Sequence, residues 1–375
     1  AGQINAMPDY LAPYNIVWDT PSRNSGESMP CGGHDIGLNV WVEADAAGNG
    51  DLLFYLDRAG SFDENNQMLK LGRVRVRLTP NPFTPGAPFR QELKLRQGCV
   101  EITGGSPAVQ IEVWVDAMQP AIHVEVHSEQ PVTLEAGYEN WRLAVRDIPY
   151  DRRMPCASWV AYAGTVTTEP DTVGFSGDSV LFYHRNRSDR LVRDTLIAQQ
   201  GLAPVADQIP DTQRNRTFGG TMRGPGLVAV STRDGQHAAT PYRSWLLASQ
   251  QAQAAHRIDI VLHTAQSEAL EEWQAELERT AVLACADVGR ARSVTRVWWD
   301  EFWERSHICL QPAAAAPGDP VWHGMVDGKP VTVQVSPVPN GFDLAFRGAQ
   351  ARAFVYTASE AAYARLMPVK VASDS

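Results

Sequence analysis

The chain has 375 residues, 44% hydrophobic and 20% charged, with 11 tryptophans and a formal net charge of -10. That length suits two or three domains with a large core, and the acidic balance excludes a surface built to neutralise nucleic-acid phosphates or anionic lipid. No stretch approaches the ~18 apolar residues of a membrane-spanning helix, so a soluble globular protein is expected, with neither nucleic acid nor membrane as partner.

The charge is unevenly placed. Residues 311 to 375 hold five basic and five acidic side chains, so the first 310, with 28 basic and 38 acidic, carry the whole deficit. Cys31, Cys99, Cys156, Cys285 and Cys309 are scattered and lack CxxC spacing, so they predict buried free thiols, not a zinc site or a disulfide framework. The first residue is Ala1, as in a processed export substrate or a trimmed fragment.

From about Ile36 to Gln266 the dominant period is two. Leu38, Val40 and Val42 alternate with Asn39, Trp41 and Glu43, and Val74, Val76 and Leu78 alternate with Arg73, Arg75 and Arg77. Val109 to Val115 and Ile122 to Val126 repeat the pattern, which predicts strands with one buried and one wet face. Asn49-Gly50 reads as a tight hairpin turn, and Pro80, Pro82, Pro85 and Pro88 mark an irregular connection. The fold class expected is mainly β, a large antiparallel β-sandwich over residues 1 to 266.

A helical linker is expected over 267 to 310. Ser267 to Arg279 places Leu270, Trp273 and Leu277 on one face, and Ala291 to Ser306 aligns Val294, Trp298 and Phe302, with Trp299 and Trp303 one position round. Trp298, Trp299, Phe302 and Trp303 are expected to form an exposed packing surface, through which the chain would self-associate. After Pro320 the strand period returns at Val331, Val333 and Val335, turns at Asn340-Gly341 into Phe342, Leu344 and Phe346, and runs again over Ala353 to Tyr356. A short helix with Ser359, Glu360 and Leu366, stopped by Pro368, would close this small β-hairpin tail over 311 to 375.

Catalytic signatures are missing: there is no phosphate-binding Gly loop with its Lys, no HExxH and no GxSxG. No cofactor or metal is expected. His123 and His127 lie about 13 Å apart on one strand, too far to share an ion, and read as surface histidines. In the loop-like Ser28 to Val42, His34 and Asp35 offer a base and an acid at a strand mouth, or else form a tight turn in which Asp35 caps an amide. Asp57, Asp63 and Glu64 concentrate after a strand, and two carboxylates flanking a sugar at roughly 5 to 9.5 Å are what glycoside hydrolysis needs. A solvated acidic loop is the plainer reading of the same residues. Trp141 could stack on a sugar face or pack in the core. Asn186-Arg187-Ser188 and Asn215-Arg216-Thr217 match the glycosylation sequon.

Four segments in order, VWDTPSRNSGESMPCGGHDIGLNVWVE, GDLLFYLDRAGSFDENNQMLKLGRVRVRLTPNPF, VWVDAMQPAIHVEV and VWWDEFWERSHI, resemble one family. It is the domain of unknown function at the N-terminus of secreted bacterial glycoside-hydrolase-like proteins, similar in architecture to glycoside hydrolase families 65 and 95. The resemblance covers about residues 10 to 310. It implies a large β-sandwich, a helical linker, a following α/α barrel that holds the catalytic carboxylates, a glycan partner and a periplasmic or extracellular location. Where the family usually reads Met-Pro-Leu-Gly-Asn-Gly-Asp, this chain has Met29-Pro30-Cys31-Gly32-Gly33-His34-Asp35. Too few residues follow Ile308 for that barrel, so catalysis by this chain is not expected. Pro317 to Ser375 resembles the α subunit of propionyl-CoA carboxylase near the end of its coupling domain, an intracellular protein. Ala313 to Ala316 would then mark a seam between two incomplete proteins, and the alternative function is an assembly module.

Overall fold

The computed structural model describes residues 11–149, 164–306, 309–310, 321–326, 329–338, 341–346 and 349–354. They fall in two compact units, Ala1–Trp299 and Asp300–Ser375. In chain order the elements are β1 (Ile16–Trp18), β2 (Met29–Gly33), β3 (Ile36–Ala44), β4 (Gly50–Arg58), β5 (Gly72–Thr79), β6 (Phe89–Lys94), β7 (Cys99–Gly104), β8 (Val109–Val115) and β9 (Ala121–Asn140). There follow β10 (Arg146–Asp147), β11 (Thr167–Thr168), β12 (Thr172–Ser176), β13 (Ser179–Arg185), α1 (Leu191–Gln199), β14 (Arg216–Arg223), β15 (Leu227–His237), β16 (Thr240–Ser249), β17 (Gln253–Gln266), α2 (Leu270–Cys285) and α3 (Val288–Arg305).

The expected alternation holds, and it builds a mainly β fold of two antiparallel leaves. The first leaf runs β1-β6-β7-β8-β9-β17-β14-β13-β12, and the second runs β2-β3-β4-β5-β9-β16-β15. Strand β9 serves both: its first half pairs with β8 and β17, its second with β5 and β16. Between them the register with β17 slips, from Ala255 opposite His127 to Gln253 opposite Val132. Pro131 sits at that corner, where the missing N–H breaks no ladder bond. The inward-facing Val74, Val76, Leu134 and Leu247 of one leaf meet Val100, Ile111, Val124 and Ile260 of the other in one continuous core.

Asn49-Gly50 does lie between two strands, but the turn is longer than two residues. Ala44 pairs with Gly50, and Asp45 closes the loop by accepting from the Ala47 and Asn49 amides at 2.9 Å, with Gly48 at φ +86°. The prolines at 80, 82, 85 and 88 lie in the irregular connection between β5 and β6. A helix within the strand-rich region, α1, has no counterpart in the periodicity.

Both linker helices form, each shifted by a few residues. The acidic Glu271 and Glu272 open α2, and Asp287 caps α3 by accepting from the Arg290 amide at 2.9 Å. Trp273, Leu277, Ala281 and Ala284 of α2 pack on Ala121 and Val261, on the outer face of the first leaf. The buried face of α3 differs from the one the apolar spacing suggests. It is Val288, Ala291, Arg292 and Thr295, set on Cys99 and Trp114. Arg292 is held there by Glu112, by the Gln97 carbonyl at 2.9 Å and by the Trp114 ring at 5.2 Å. Trp299 lies so close to Gly98 that a Cβ there would meet its ring at 1.9 Å.

Trp298, Trp299, Phe302 and Trp303 are half-buried, where an exposed aromatic face was expected. The rings also cover one another edge to face, Trp298 with Trp299 at 5.0 Å and Phe302 with Trp303 at 5.3 Å. The exposed apolar side chains of the two helices are instead Val282, Leu283, Val294 and Val297. No helix among the described residues is long and apolar enough to cross a membrane.

The second unit carries an antiparallel meander, β18 (Cys309–Leu310), β19 (Val321–Val326), β20 (Lys329–Val338), β21 (Gly341–Phe346) and β22 (Ala349–Phe354). Val333 and Val335 are buried and alternate with exposed Thr332, Gln334 and Ser336, as the period predicts. The expected closing helix with Ser359, Glu360 and Leu366, and the alanines 313 to 316, lie outside the described residues.

Candidate functional site

The outer face of the second leaf carries the site. Period-two geometry puts Asn39, Tyr55, Arg73, Glu139 and Ser244 in one row across β3, β4, β5, β9 and β16. The next row is Trp41, Leu53, Arg75, Gly137 and Leu246. This face was expected to be wet, yet Trp41 and Leu53 are fully buried and Arg73 is only 2% exposed. The β15–β16 hairpin and the chain before β2 explain the difference. The hairpin tip brings His237 Nδ1 to 3.8 Å from Glu43 and Tyr242 to 5.2 Å from the Arg73 guanidinium, while Ser22 bridges to Glu43.

Beneath this cover three arginines share two carboxylates. Arg73 pairs with Glu139, Arg75 reaches Glu139 at 2.7 Å and Asp51 at 3.0 Å, and Arg77 meets Asp51 at 2.7 Å. Burial works against the Arg75 charge, and Glu139 overcomes it, so the guanidinium stays above its ordinary pKa. Both carboxylates are thereby committed to ion pairs.

Above the row lies a cavity of about 630 Å³. Its floor is Asn39, Tyr55 and Arg73, one wall is Trp141 with Arg146, and the opposite wall is His237 with Tyr242. Tyr55 and Trp141 meet edge to face, with centroids 6.1 Å apart and planes at 89°, which makes a corner and not a flat sandwich. Lys70, exposed at the rim, holds Nζ 4.7 Å above the Tyr55 ring. Trp141 is backed by the buried Arg142, whose guanidinium lies 5.8 Å from its ring and bonds Asp171 at 2.9 Å. Burial first, and then Arg73, holds His237 below its ordinary pKa of 6.5, so the ring is neutral at pH 7.

Of the residues singled out from the sequence, only Trp141 lines this cavity. Asp63 and Glu64 are not in a solvated acidic loop: they are 0% and 5% exposed. Asp63 accepts from the Asn65 and Gln67 amides at 2.9 and 2.8 Å, and burial pushes its carboxyl up to about 6. Glu64 accepts from the Glu169 amide at 2.8 Å and takes the Nε2 side of His184 at 2.9 Å, while Asp171 takes Nδ1 at 2.9 Å. Burial alone would lower His184, but the two carboxylates hold it up to about 9, a buried imidazolium between two anions. These groups are buried and committed to hydrogen bonds within the fold.

His34 and Asp35 form the two-residue turn between β2 and β3, with His34 at φ +50°. Asp35 accepts from Arg58 at 3.0 Å instead of capping an amide, and it bonds His34 at 2.7 Å. Burial raises Asp35, but His34 and Arg58 outweigh it and hold the carboxyl below its usual range. Asp57 lies opposite Gly37 near that turn, and burial pushes its pKa up. His123 is buried, not on the surface: its ring lies 4.3 Å from that of Trp114, tilted by 31°, and it bonds Asp259 at 2.7 Å. Both sequon asparagines are buried and bonded, Asn186 to the Phe62 carbonyl at 3.0 Å and Asn215 to Glu268 at 2.9 Å, so the folded chain cannot present them for glycosylation.

Tyr55, Lys70, Arg73, His237 and Tyr242 were not anticipated. One signal was present: Trp41 and Leu53 stand on strand faces that water would have to cover, which implies a lid over their row. The lid itself, a hairpin nearly 190 residues further on, left no trace in local pattern.

Comparison with known proteins fixes the family. Residues 17–308 match the N-terminal part of the family described as domain of unknown function (DUF5703). The chain belongs to that family. No curated protein matches it. Among solved structures, the DUF5703 chain is similar to a human-microbiome protein named as a kojibiose phosphorylase, with 12% identity over 80% of this chain and 39% of that one, at a TM-score of 0.39. It is also similar to a heparinase III gene product, with 10% identity over 82% of this chain and 42% of that one, at a TM-score of 0.29. The chain thus spans about two fifths of the length of these solved structures. The family match ends at residue 308.

Proposed function

We propose that the DUF5703 sandwich is the saccharide-contacting, non-catalytic portion of a carbohydrate-active protein. The cavity over the second leaf carries this reading. Its volume, about 630 Å³, falls within the ~300 to 1,000 Å³ typical of small-ligand sites. The corner made by Tyr55 and Trp141 offers apolar faces for the C–H groups of a sugar ring, and Asn39, Thr240 and Ser25 offer hydroxyl partners. Glycoside hydrolysis needs two free carboxylates across the bond. Among the described residues none lines the cavity, and Asp51 and Glu139 beneath it are held by arginines.

The test is a glycan array on the full chain, with product analysis of every glycan bound. Binding without cleavage is expected. Turnover of any glycoside would overturn the non-catalytic assignment, and an empty array would overturn the binding one. The family resemblance also supports export to the periplasm or exterior, which cell fractionation tests; a purely cytoplasmic pool would contradict it. For residues 317–375 the carboxylase resemblance is the ground for proposing a separate origin. Retention of a purified carboxylase β subunit by the full chain would favour that assignment, and failure to retain it would count against it.

A further inference from the structure

We infer that the cavity selects anionic saccharides, sugars bearing a carboxylate or a sulfate, through Lys70 and Arg146. The inference rests on the saccharide reading above and adds the class of sugar. The chain as a whole has 43 acidic against 33 basic residues, yet the cavity is lined by Lys70, Arg73 and Arg146 and, among the described residues, by no carboxylate.

The three cations differ in their commitments. Arg73 is buried, paired with Glu139 and flanked by the Tyr242 ring, so it is part of the floor. Lys70 and Arg146 are exposed, and among the described residues neither closes an ion pair within 4.0 Å, though Lys70 is near enough to Asp57 to favour that carboxylate at longer range. Lys70 is placed over Tyr55 by its contact with the ring, so its charge stands at the mouth of the aromatic corner. Arg146 stands on the Trp141 wall. A ring resting in the corner between Tyr55 and Trp141 would carry its anionic substituent towards these two side chains. The perpendicular aromatic planes suit the puckered face of a sugar better than a flat base, which would call for parallel rings. The neutral His237 on the far wall adds no competing anion.

The experiment is calorimetric titration of the full chain with three tetrasaccharides: oligogalacturonate, a sulfated oligogalactose and the uncharged oligogalactose. At low salt, at least one of the two anionic sugars is expected to bind about tenfold or more tightly than the neutral one, as one or two charge-assisted contacts allow. The preference should shrink at 0.5 M salt, because exposed charges are screened. Which anionic sugar binds tells carboxylate from sulfate recognition. In the Lys70→Ala/Arg146→Ala form the anionic advantage should vanish, and in Lys70→Arg/Arg146→Lys it should persist; both sites are exposed, and circular dichroism checks that each variant folds. Equal binding of all three sugars would overturn the anion selectivity and leave the saccharide reading standing. An unchanged preference in the double alanine form would also overturn it. Binding of none would overturn both.

Discussion

Replacing His184 by Gln should flatten the alkaline side of the pH–stability profile of this protein as well as lower its stability. The imidazole is 1% exposed and lies between Glu64 and Asp171, each at 2.9 Å. Its pKa rises from 6.5 to about 9, and at ~1.4 kcal/mol per unit that shift corresponds to about 3 kcal/mol of native-state stability. Because the folded value is the higher one, this contribution is complete below pH 6.5, declines between 6.5 and about 9, and is absent above. Glu64 and Asp171 act in the opposite sense. Burial opposes their charge, but His184 for the first and Arg142 with His184 for the second hold them below 4.5 and 3.8, so their contribution is lost as pH falls through the acid range. The network should therefore stabilise most between about pH 4.5 and 6.5. Urea unfolding followed by circular dichroism, at half-unit steps from pH 4 to 10, measures this. The parent should lose about 3 kcal/mol between pH 6 and 9.5. His184→Gln leaves two carboxylates without their shared cation, should start about 3 to 5 kcal/mol lower at pH 6, and should lack the alkaline decline. A variant whose profile parallels the parent from pH 6 to 9.5 would refute the assignment of that decline to His184.

Arg73→Met should cost about 3 to 5 kcal/mol in urea unfolding, since it leaves Glu139, 1% exposed, with Arg75 alone; a loss under 1 kcal/mol would show that the arginine row is not an integral floor. Trp273→Ala should cost about 3 to 5 kcal/mol, because the ring is 1% exposed between α2 and the first leaf, and near-neutrality would mean that α2 does not depend on that packing. Cys31 and Cys99 are buried, and burial pushes both thiols up to about 12. Mass-spectrometric mapping of iodoacetamide labelling at pH 8 should find them protected until the chain unfolds, while the half-buried Cys285 reacts earlier.

Much of the fold was legible because strand periodicity is local. Val74, Val76 and Leu78 announce their buried face without knowledge of any partner strand. The faces that failed were those where polar residues are buried by distant ones. Arg292 is packed into the sheet by Glu112 and Trp114, so the apolar residues of α3 gave the wrong stripe. Asp63 and Glu64 look like a wet loop until His184, some 120 residues on, closes over them. The cavity was visible only through Trp141. Its other walls come from β4, β5 and the β15–β16 hairpin, and no short window holds them together. Turn length at Asn49-Gly50 was likewise set by a side chain, Asp45, that the dipeptide does not include.

The proposed saccharide site is the corner between Tyr55 and Trp141. An oligosaccharide array run side by side on the full chain and on its Trp141→Ala form tests it most directly. The parent is expected to bind, and the variant, still folded by circular dichroism, to lose about tenfold or more on the same sugars. A parent that binds no sugar, or a variant that binds as well as the parent, would contradict it.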